Sequence, residues 1–161
     1  MPTTPPIRVT PATPDDAPLV RQIMLAAFEQ FRGTLEPPSS ALDETIADTR
    51  RAIEAGGAAL AWVGDAAVGS ARCEPCPAYL YVGRVAVLPE QRGRGIASAL
   101  MDFMDDRARA LGLPEVRVEV RLALPDNVAF FRRLGFLTVS EQPHPRGPAY
   151  WTVILGKPIA K

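Results

Sequence analysis

The sequence predicts a mixed α/β (α+β) fold, with one mixed sheet of six or seven strands flanked by four helices. Apolar runs of strand length alternate with segments of helical periodicity along the 161 residues. One of these strands leads through a glycine-rich turn into a long amphipathic helix, as in a helix-linked parallel strand pair. The predicted order is βααβββαβαββ, with a loose segment over residues 1–6 and a single domain over residues 7–159.

The first half of the chain predicts one strand, two helices and a hairpin. Thr13-Pro14-Asp15-Asp16 resembles a capping box that opens a helix. Gly64-Asp65 lies between two apolar runs and is a typical hairpin turn. The elements expected here are a strand at 7–10, a helix with an apolar stripe to Phe31, a loop at 33–40, a helix at 41–55, and strands at 58–63 and 66–72.

The second half is arranged around residues 80–111. Its strand ends at Pro89, because proline cannot donate to a sheet ladder, and the helix that follows ends before Gly112. Strict alternation then predicts a strand at 116–122. The remaining elements are a helix at 125–134, a strand at 136–140, a Pro-rich loop at 142–148 and a strand at 149–155.

The turn Arg92-Gly93-Arg94-Gly95 between strand and helix is a candidate anion site. The first N–H groups of a helix have no internal acceptors, and glycines allow an anion to approach the backbone closely. The two arginines lie at the positive end of the helix dipole, where a bound phosphate would offset their charge. The alternative is a solvated basic turn that caps a surface helix.

The run Val87-x-Pro89-x-x-Arg92-Gly93-Arg94-Gly95-Ile96-Ala97 resembles the acetyl-CoA signature of the GNAT superfamily of N-acetyltransferases. Arg92, Gly95 and Ala97 match its fixed positions. The opening from Ile7 to Ala17 and the run from Asn127 to Phe131 with Leu134-Gly135-Phe136 are also similar to that family. The element order is the order of the GNAT fold.

This resemblance implies acetyl-CoA as cosubstrate. Backbone N–H groups of the turn would bind the pyrophosphate, and the preceding strand would pair with the pantetheine arm. Asn127 matches a residue that often contacts pantetheine, although it could equally satisfy the helix start. The implied cofactor-binding residues are Val85, Ala86, Val87, Arg92, Gly93, Arg94, Gly95, Ile96, Ala97, Ser98, Asn127 and Phe131.

The sequence departs from the family at Phe131. In this family an amine attacks the thioester directly, and a tyrosine at this position commonly protonates the leaving thiolate. A phenyl ring cannot donate a proton, so Phe131 is expected to be a packing contact near the cofactor. The thiolate would then leave unprotonated, since thiols ionise near pH ~8.5, or water or another hydroxyl would serve. Alternatively, the protein is a weak or inactive acetyltransferase.

The catalytic base is expected to be Tyr81 or Glu119. Tyr81 lies on the central strand, close to where some family members have a base, and Glu119 lies on the neighbouring strand. The alternative for Glu119 is a surface charge ladder with Arg117 and Arg121. Further candidates are Glu29, Glu74 and His144.

Composition excludes several classes. The formal charge is zero and the pI about 6.6, unlike a nucleic-acid binder. No apolar run approaches a membrane span, and the N-terminus lacks a secretory pattern, so a cytoplasmic protein is expected. Cys73 and Cys76 form a lone CxxC with His144 as the only histidine, so no metal site is expected. A homodimer is left open.

The predicted function is therefore transfer of acetyl from acetyl-CoA to a primary amine of a small molecule or peptide. The alternative is a catalytically weak or inactive acyl-CoA-binding module. A dinucleotide site does not fit, because Ser98 stands where its third glycine or alanine belongs. No acidic cluster and no basic patch in the sequence indicates which acceptor is used.

Overall fold

The computed structural model describes residues 5–33, 40–144 and 147–160. Its elements follow the predicted order βααβββαβαββ. They are β1 (Ile7–Ala12), α1 (Ala17–Phe28), α2 (Ile46–Ala55), β2 (Ala58–Val63), β3 (Ala66–Pro75), β4 (Leu80–Val87), α3 (Ile96–Ala110), β5 (Glu115–Arg121), α4 (Pro125–Arg133), β6 (Leu137–His144) and β7 (Gly147–Pro158).

The strands form one seven-stranded mixed sheet in the order β1-β2-β3-β4-β5-β7-β6. The pair β4–β5 is parallel and the other neighbours are antiparallel. The predicted parallel central pair and the hairpin at Gly64 are thus confirmed, and Gly64 has the positive φ (60°) that its turn requires.

Helices cover both faces of the sheet. Successive residues of β2 belong to different cores, because side chains alternate across a strand. Leu60 packs with Val20 and Ile23 of α1, whereas Ala59 packs with α3 in a second core. The α1–α2 face and the α3–α4 face are therefore distinct sides of the sheet.

The second helix is shorter than the predicted 41–55. It begins at Ile46 because Thr45 caps it: Asp48 N–H donates to Thr45 Oγ1 (3.1 Å), and Thr45 N–H donates to Asp48 Oδ2 (3.0 Å). Ser40–Asp43 form a separate 3₁₀ turn. This arrangement leaves Glu44 outside the helix, between the two.

The Pro-rich loop predicted at 142–148 was wrong. Strand β6 continues to His144, and β7 begins at Gly147. Pro143 is tolerated because β6 is an edge strand of the sheet. A proline lacks the N–H that a strand in the middle of a sheet would donate to its neighbours. Residues 145–146, most of the predicted loop 33–40 and most of the predicted loose segment 1–6 lie outside the described residues.

Candidate active site

The two central strands separate along their length. Strands β4 and β5 pair only at Leu80–Val116 and Tyr81–Arg117 within the described sheet. On its other side β4 carries a bulge: Gly83 pairs with Arg72 and Ala86 with Ser70, so β4 has one residue more than β3 between these two pairs. Arg84 within it has a left-handed backbone (φ 53°). The divergence opens a cleft between the two strands.

This cleft has a volume of about 450 Å³ and collects residues from distant parts of the chain. Its walls are the bulged part of β4, the end of β5, the end of α1 and the first turns of α4. Nine of the residues expected at the site line it: Tyr81, Val85, Ala86, Val87, Arg92, Ala97, Glu119, Asn127 and Phe131.

The glycine-rich turn lies at the start of α3. Gly93 and Gly95 have positive φ (78° and 82°), and a Cβ at either would meet open space. In the described backbone, the first N–H of this helix with an acceptor is that of Ala99, which donates to the Gly95 carbonyl (3.0 Å). The preceding amides, including that of Ser98, therefore have no backbone acceptor in the described structure and are available to an anion.

The side chains of the turn have different surroundings. Arg92 does not leave its charge at the helix start: it donates to Gln30 Oε1 (3.0 Å) and to the Ala27 carbonyl (3.2 Å) at the end of α1. A helix C-terminus favours such a cation. Ile96 is buried in the core, so only its backbone is available to a ligand, whereas Arg94 is exposed.

The inner edge of β4 carries backbone groups that face the cleft. Leu88 N–H donates to the Val68 carbonyl of β3 (2.9 Å). Successive strand N–H groups point to opposite sides, so the N–H of Val87 is directed toward β5. An extended ligand in the cleft could pair with this edge.

Tyr81 and Glu119 both line the cleft, near the end at which β4 and β5 still pair. Burial raises the pKa of the Tyr81 hydroxyl, and the charge of Glu119 raises it further. Glu119 is exposed and accepts a hydrogen bond from Thr152 (2.9 Å). Its sequence neighbour Arg117 pairs with Glu115 instead, so the charge ladder does not run from Arg117 to Glu119.

The other base candidates are not at this position. Glu29 is exposed and pairs with Arg32 (2.6 Å), whose hydrogen bond lowers the pKa of the carboxyl. Glu74 lines a second cavity next to the cleft. The side chain of His144 lies outside the described part of the chain.

Phe131 is part of the core as well as of the cleft wall. Its ring is 8% exposed and meets Phe130 and Phe136 edge-on, with centroids 5.1 and 5.5 Å apart. Asn127 is exposed in the cleft, and the residue at the N-cap of α4 is Leu124. Both positions are consistent with a ligand contact.

Both cysteines of the CxxC pair are free thiols. Cys73 is buried in β3, and this burial raises the pKa of its thiol, while Arg107 lowers it to a lesser extent. Among the described residues, no group of three histidine, cysteine or acidic side chains could hold an ion. Nor does this part of the chain contain a helix with the length and apolar character needed to cross a membrane.

Sequence reasoning missed several residues of the cleft. Phe28 and Ser40 enter it from the α1 side, and Arg84 and Arg121 from the strands. They are separated by up to about 90 positions in the chain and belong to no motif. The positive φ of Arg84, which places this residue at the bulge, has no sequence signal.

A mixed seven-stranded sheet, opened between its central strands with a glycine-rich helix start alongside, defines the class as an acyltransferase fold. The sequence profile of the acetyltransferase (GNAT) family matches residues 20–136. The chain therefore belongs to the GNAT acetyltransferase family.

Solved structures agree with this fold. The ribosomal-protein-S18-alanine N-acetyltransferase of Escherichia coli is 17% identical, with a TM-score of 0.72 over 97% of this chain and 96% of that one. Ard1 from Thermoplasma volcanium is 19% identical, with a TM-score of 0.76 over 96% and 99%. Salmonella typhimurium yncA, solved with its cofactor acetyl-CoA, is 13% identical, with a TM-score of 0.75 over 96% and 95%.

Proposed function

We propose that this protein transfers the acetyl group of acetyl-CoA to a primary amine of a small molecule or peptide, by direct attack in a ternary complex. The observation that carries the proposal is the opening between β4 and β5, with the free amides of residues 93–98 beside it. A pyrophosphate matches those amides, and an extended amide-containing arm matches the strand edge.

Acetyl-CoA supplies an activated acyl group, and the chain positions it. The turn and the start of α3 bind the pyrophosphate, and the β4 edge at Val85 and Val87 pairs with the pantetheine arm. The N–H of Val87 then donates to the thioester oxygen as negative charge develops on it. Asn127 and Phe131 form the opposite side of the cleft.

Glu119 is the proposed base. An amine enters as an ammonium ion and must lose a proton before it attacks, directly or through water. Tyr81 is unsuited to this role, because its raised pKa keeps the hydroxyl protonated. Glu119 is an exposed carboxylate in the same cleft, with Thr152 fixing one oxygen.

Tyr81 is the proposed proton donor to the departing sulfur. Phe131 cannot donate, so another hydroxyl of the cleft must act or the thiolate must leave unprotonated. The hydroxyl of Tyr81 remains protonated at neutral pH and lies in the cleft beside Glu119. The two residues thus divide the acid and base roles.

Amine-dependent release of free coenzyme A tests this function, with the acetylated amine identified by mass spectrometry. Turnover that requires both acetyl-CoA and an amine is expected. Tight acetyl-CoA binding without release for any amine would favour the second candidate, an acyl-CoA-binding module without turnover. The observation favouring that candidate is the phenyl ring of Phe131, packed where the family commonly has a hydroxyl.

A further inference from the structure

Two arginines that belong to no motif of the sequence, Arg72 and Arg84, lie beside the cleft. A second cavity, of about 350 Å³, lies between the end of α2 and strands β3 and β4. It shares Tyr81, Gly83 and Arg84 with the main cleft. Arg72 also lines it, so two arginines and Tyr81 lie on the wall of this cavity, and Arg84 is at its boundary with the main cleft.

The buried carboxylate of Glu44 pairs with both arginines, and the exposed Glu74 lines the same cavity. Glu44 is 9% exposed, and its Oε2 accepts hydrogen bonds from Arg72 Nη1 (2.6 Å) and Thr49 Oγ1 (2.7 Å). Arg84 Nε lies 3.7 Å from Glu44 Oε1, beyond hydrogen-bond distance. Glu44 therefore hydrogen-bonds to Arg72 and forms a longer ion pair with Arg84.

Arg84 has donor capacity left over. Its Nη2 donates to Ser40 Oγ (2.8 Å), but its buried Nε has no hydrogen-bond partner among the described residues. Burial lowers the pKa of this guanidinium, and Arg72 lowers it further. Because arginine stays charged in proteins, the part-buried cluster of Arg72, Arg84 and Glu44 has one positive charge in excess, and the carboxylate nearest to it on the cavity wall is the exposed Glu74.

The backbone at Arg84 supports a functional role. A left-handed conformation (φ 53°) is uncommon for a residue other than glycine and costs free energy, so it persists where the surroundings impose it, often at binding sites. Here it coincides with the bulge that brings Arg84 to the boundary of both cavities. An arginine that only faces solvent would require neither the left-handed backbone nor the bulge.

We propose that the acceptor is an amine that also carries a carboxylate, as an amino acid does, and that Arg84 binds this carboxylate while the amine faces Glu119. A planar guanidinium matches a carboxylate with paired hydrogen bonds, whereas the neutral end of a simple amine would leave Arg84 unsatisfied. This inference rests on the proposed transferase function and names its substrate class.

The test compares matched acceptors. A series of ω-amino acids from β-alanine to ε-aminocaproate is assayed as acceptors, and alkylamines of equal chain length are assayed for comparison. Aminoalkyl phosphonates of the same lengths test whether a different anionic group is accepted. The kcat/KM of the best amino acid is expected to exceed that of its alkylamine by about tenfold or more, and that of its phosphonate by a smaller factor. Equal values for acid and alkylamine would overturn the inference, and a preference for the phosphonate would overturn the carboxylate assignment.

Variants connect the preference to the arginine. Arg84→Gln is expected to bring the acid-to-alkylamine ratio close to one, and Arg84→Lys to leave an intermediate ratio. Both variants keep a residue other than glycine in the left-handed backbone conformation at position 84. An unchanged affinity for acetyl-CoA shows that the variants are folded. The matched control is Arg117→Gln: Arg117 lies opposite Tyr81 in the sheet but pairs with Glu115 and stacks on Tyr79. An unchanged ratio in Arg84→Gln would refute the assignment.

Failure of the transferase function gives a different result. If no amine releases coenzyme A, the protein loaded with coenzyme A is titrated with the same amino acids and alkylamines in a calorimeter. Binding that requires both the carboxylate and Arg84 would support the acceptor site without turnover. Absence of such binding would overturn the inference as well as the function.

Discussion

Single side chains in the cleft have roles set by burial and by their neighbours. Glu119 and Tyr81 lie in one cleft, yet one is an exposed carboxylate and the other a part-buried phenol with a raised pKa. This difference in burial is the basis for the proposed division of roles, with Glu119 as the base and Tyr81 as the acid. The account therefore predicts different consequences for removing each of them.

Glu119→Gln is expected to lower kcat by about 10²–10⁴-fold, because a positioned base contributes that much to proton transfer. The introduced amide oxygen can still accept from Thr152, so the KM for acetyl-CoA should change little. The deficit should shrink as pH rises and the amine loses its proton to solvent. Glu115→Gln is the control, since Glu115 is on the same strand outside the cleft; equal kcat losses in both variants would refute the role.

Tyr81 should titrate later than an ordinary tyrosine, whose pKa is 10.0, because burial and Glu119 disfavour the phenolate. The unfolded chain releases this proton first, so folding stability is complete below pH 10 and falls as pH rises toward the raised pKa. Ultraviolet difference titration of the protein against Tyr81→Phe measures it. The transition that disappears in Tyr81→Phe belongs to Tyr81. If that transition lies at or below pH 10, the account is contradicted.

At the scale of elements, the sequence predicted what local patterns encode and missed what depends on pairing. The α3 turn and the hairpin at Gly64 were predicted correctly, because glycine positions and period-two patterns are local. The predicted start of α2 was wrong, because Thr45 caps the helix and thereby sets its first residue at Ile46. The Arg84 cluster could not be predicted, because Glu44, Arg72 and Arg84 meet only through β3–β4 pairing and the placement of α2.

The start of α3 can be compared with its end. Gly95 and Gly112 both have left-handed backbones (φ 82° and 71°), and a Cβ at either meets open space. Gly95→Asp and Gly112→Asp should therefore each lower stability by about 1 kcal/mol through the same strain. Only Gly95→Asp adds a carboxylate beside the free amides, so only it should lose acetyl-CoA binding. Calorimetric titration of both variants with acetyl-CoA measures this difference. Normal acetyl-CoA binding by a folded Gly95→Asp variant would show that the site was misplaced.

At the scale of the whole molecule, the opening that forms the site also weakens the sheet. Two residue pairs connect β4 to β5, so the halves of the sheet depend on α3 and its contacts behind them. Lys157 of β7 donates to the buried Asp105 of α3 (2.6 Å) and thereby connects the helix to the C-terminal half. Neither residue of this ion pair lines the cleft.

Lys157→Met is expected to destabilise the protein by about 2 kcal/mol. The value is below the ~3–5 kcal/mol of a fully buried pair because Lys157 is itself partly exposed, but Asp105 would be left buried without its partner. Chemical denaturation measures it. Asp106→Asn, which removes an exposed pair with Arg109 on the same helix, should cost under ~1 kcal/mol. Equal losses in the two variants would count against this role for the Asp105–Lys157 pair.

The measurement that tests the central claim most directly is calorimetric titration of the protein with acetyl-CoA, with NADH as the control nucleotide. The account predicts one-to-one binding of acetyl-CoA with a Kd near ~1 μM, about −8 kcal/mol, and no binding of NADH. Absence of heat from acetyl-CoA with a folded protein, or equal binding of NADH, would contradict the assignment of the cleft and of the turn at residues 92–98.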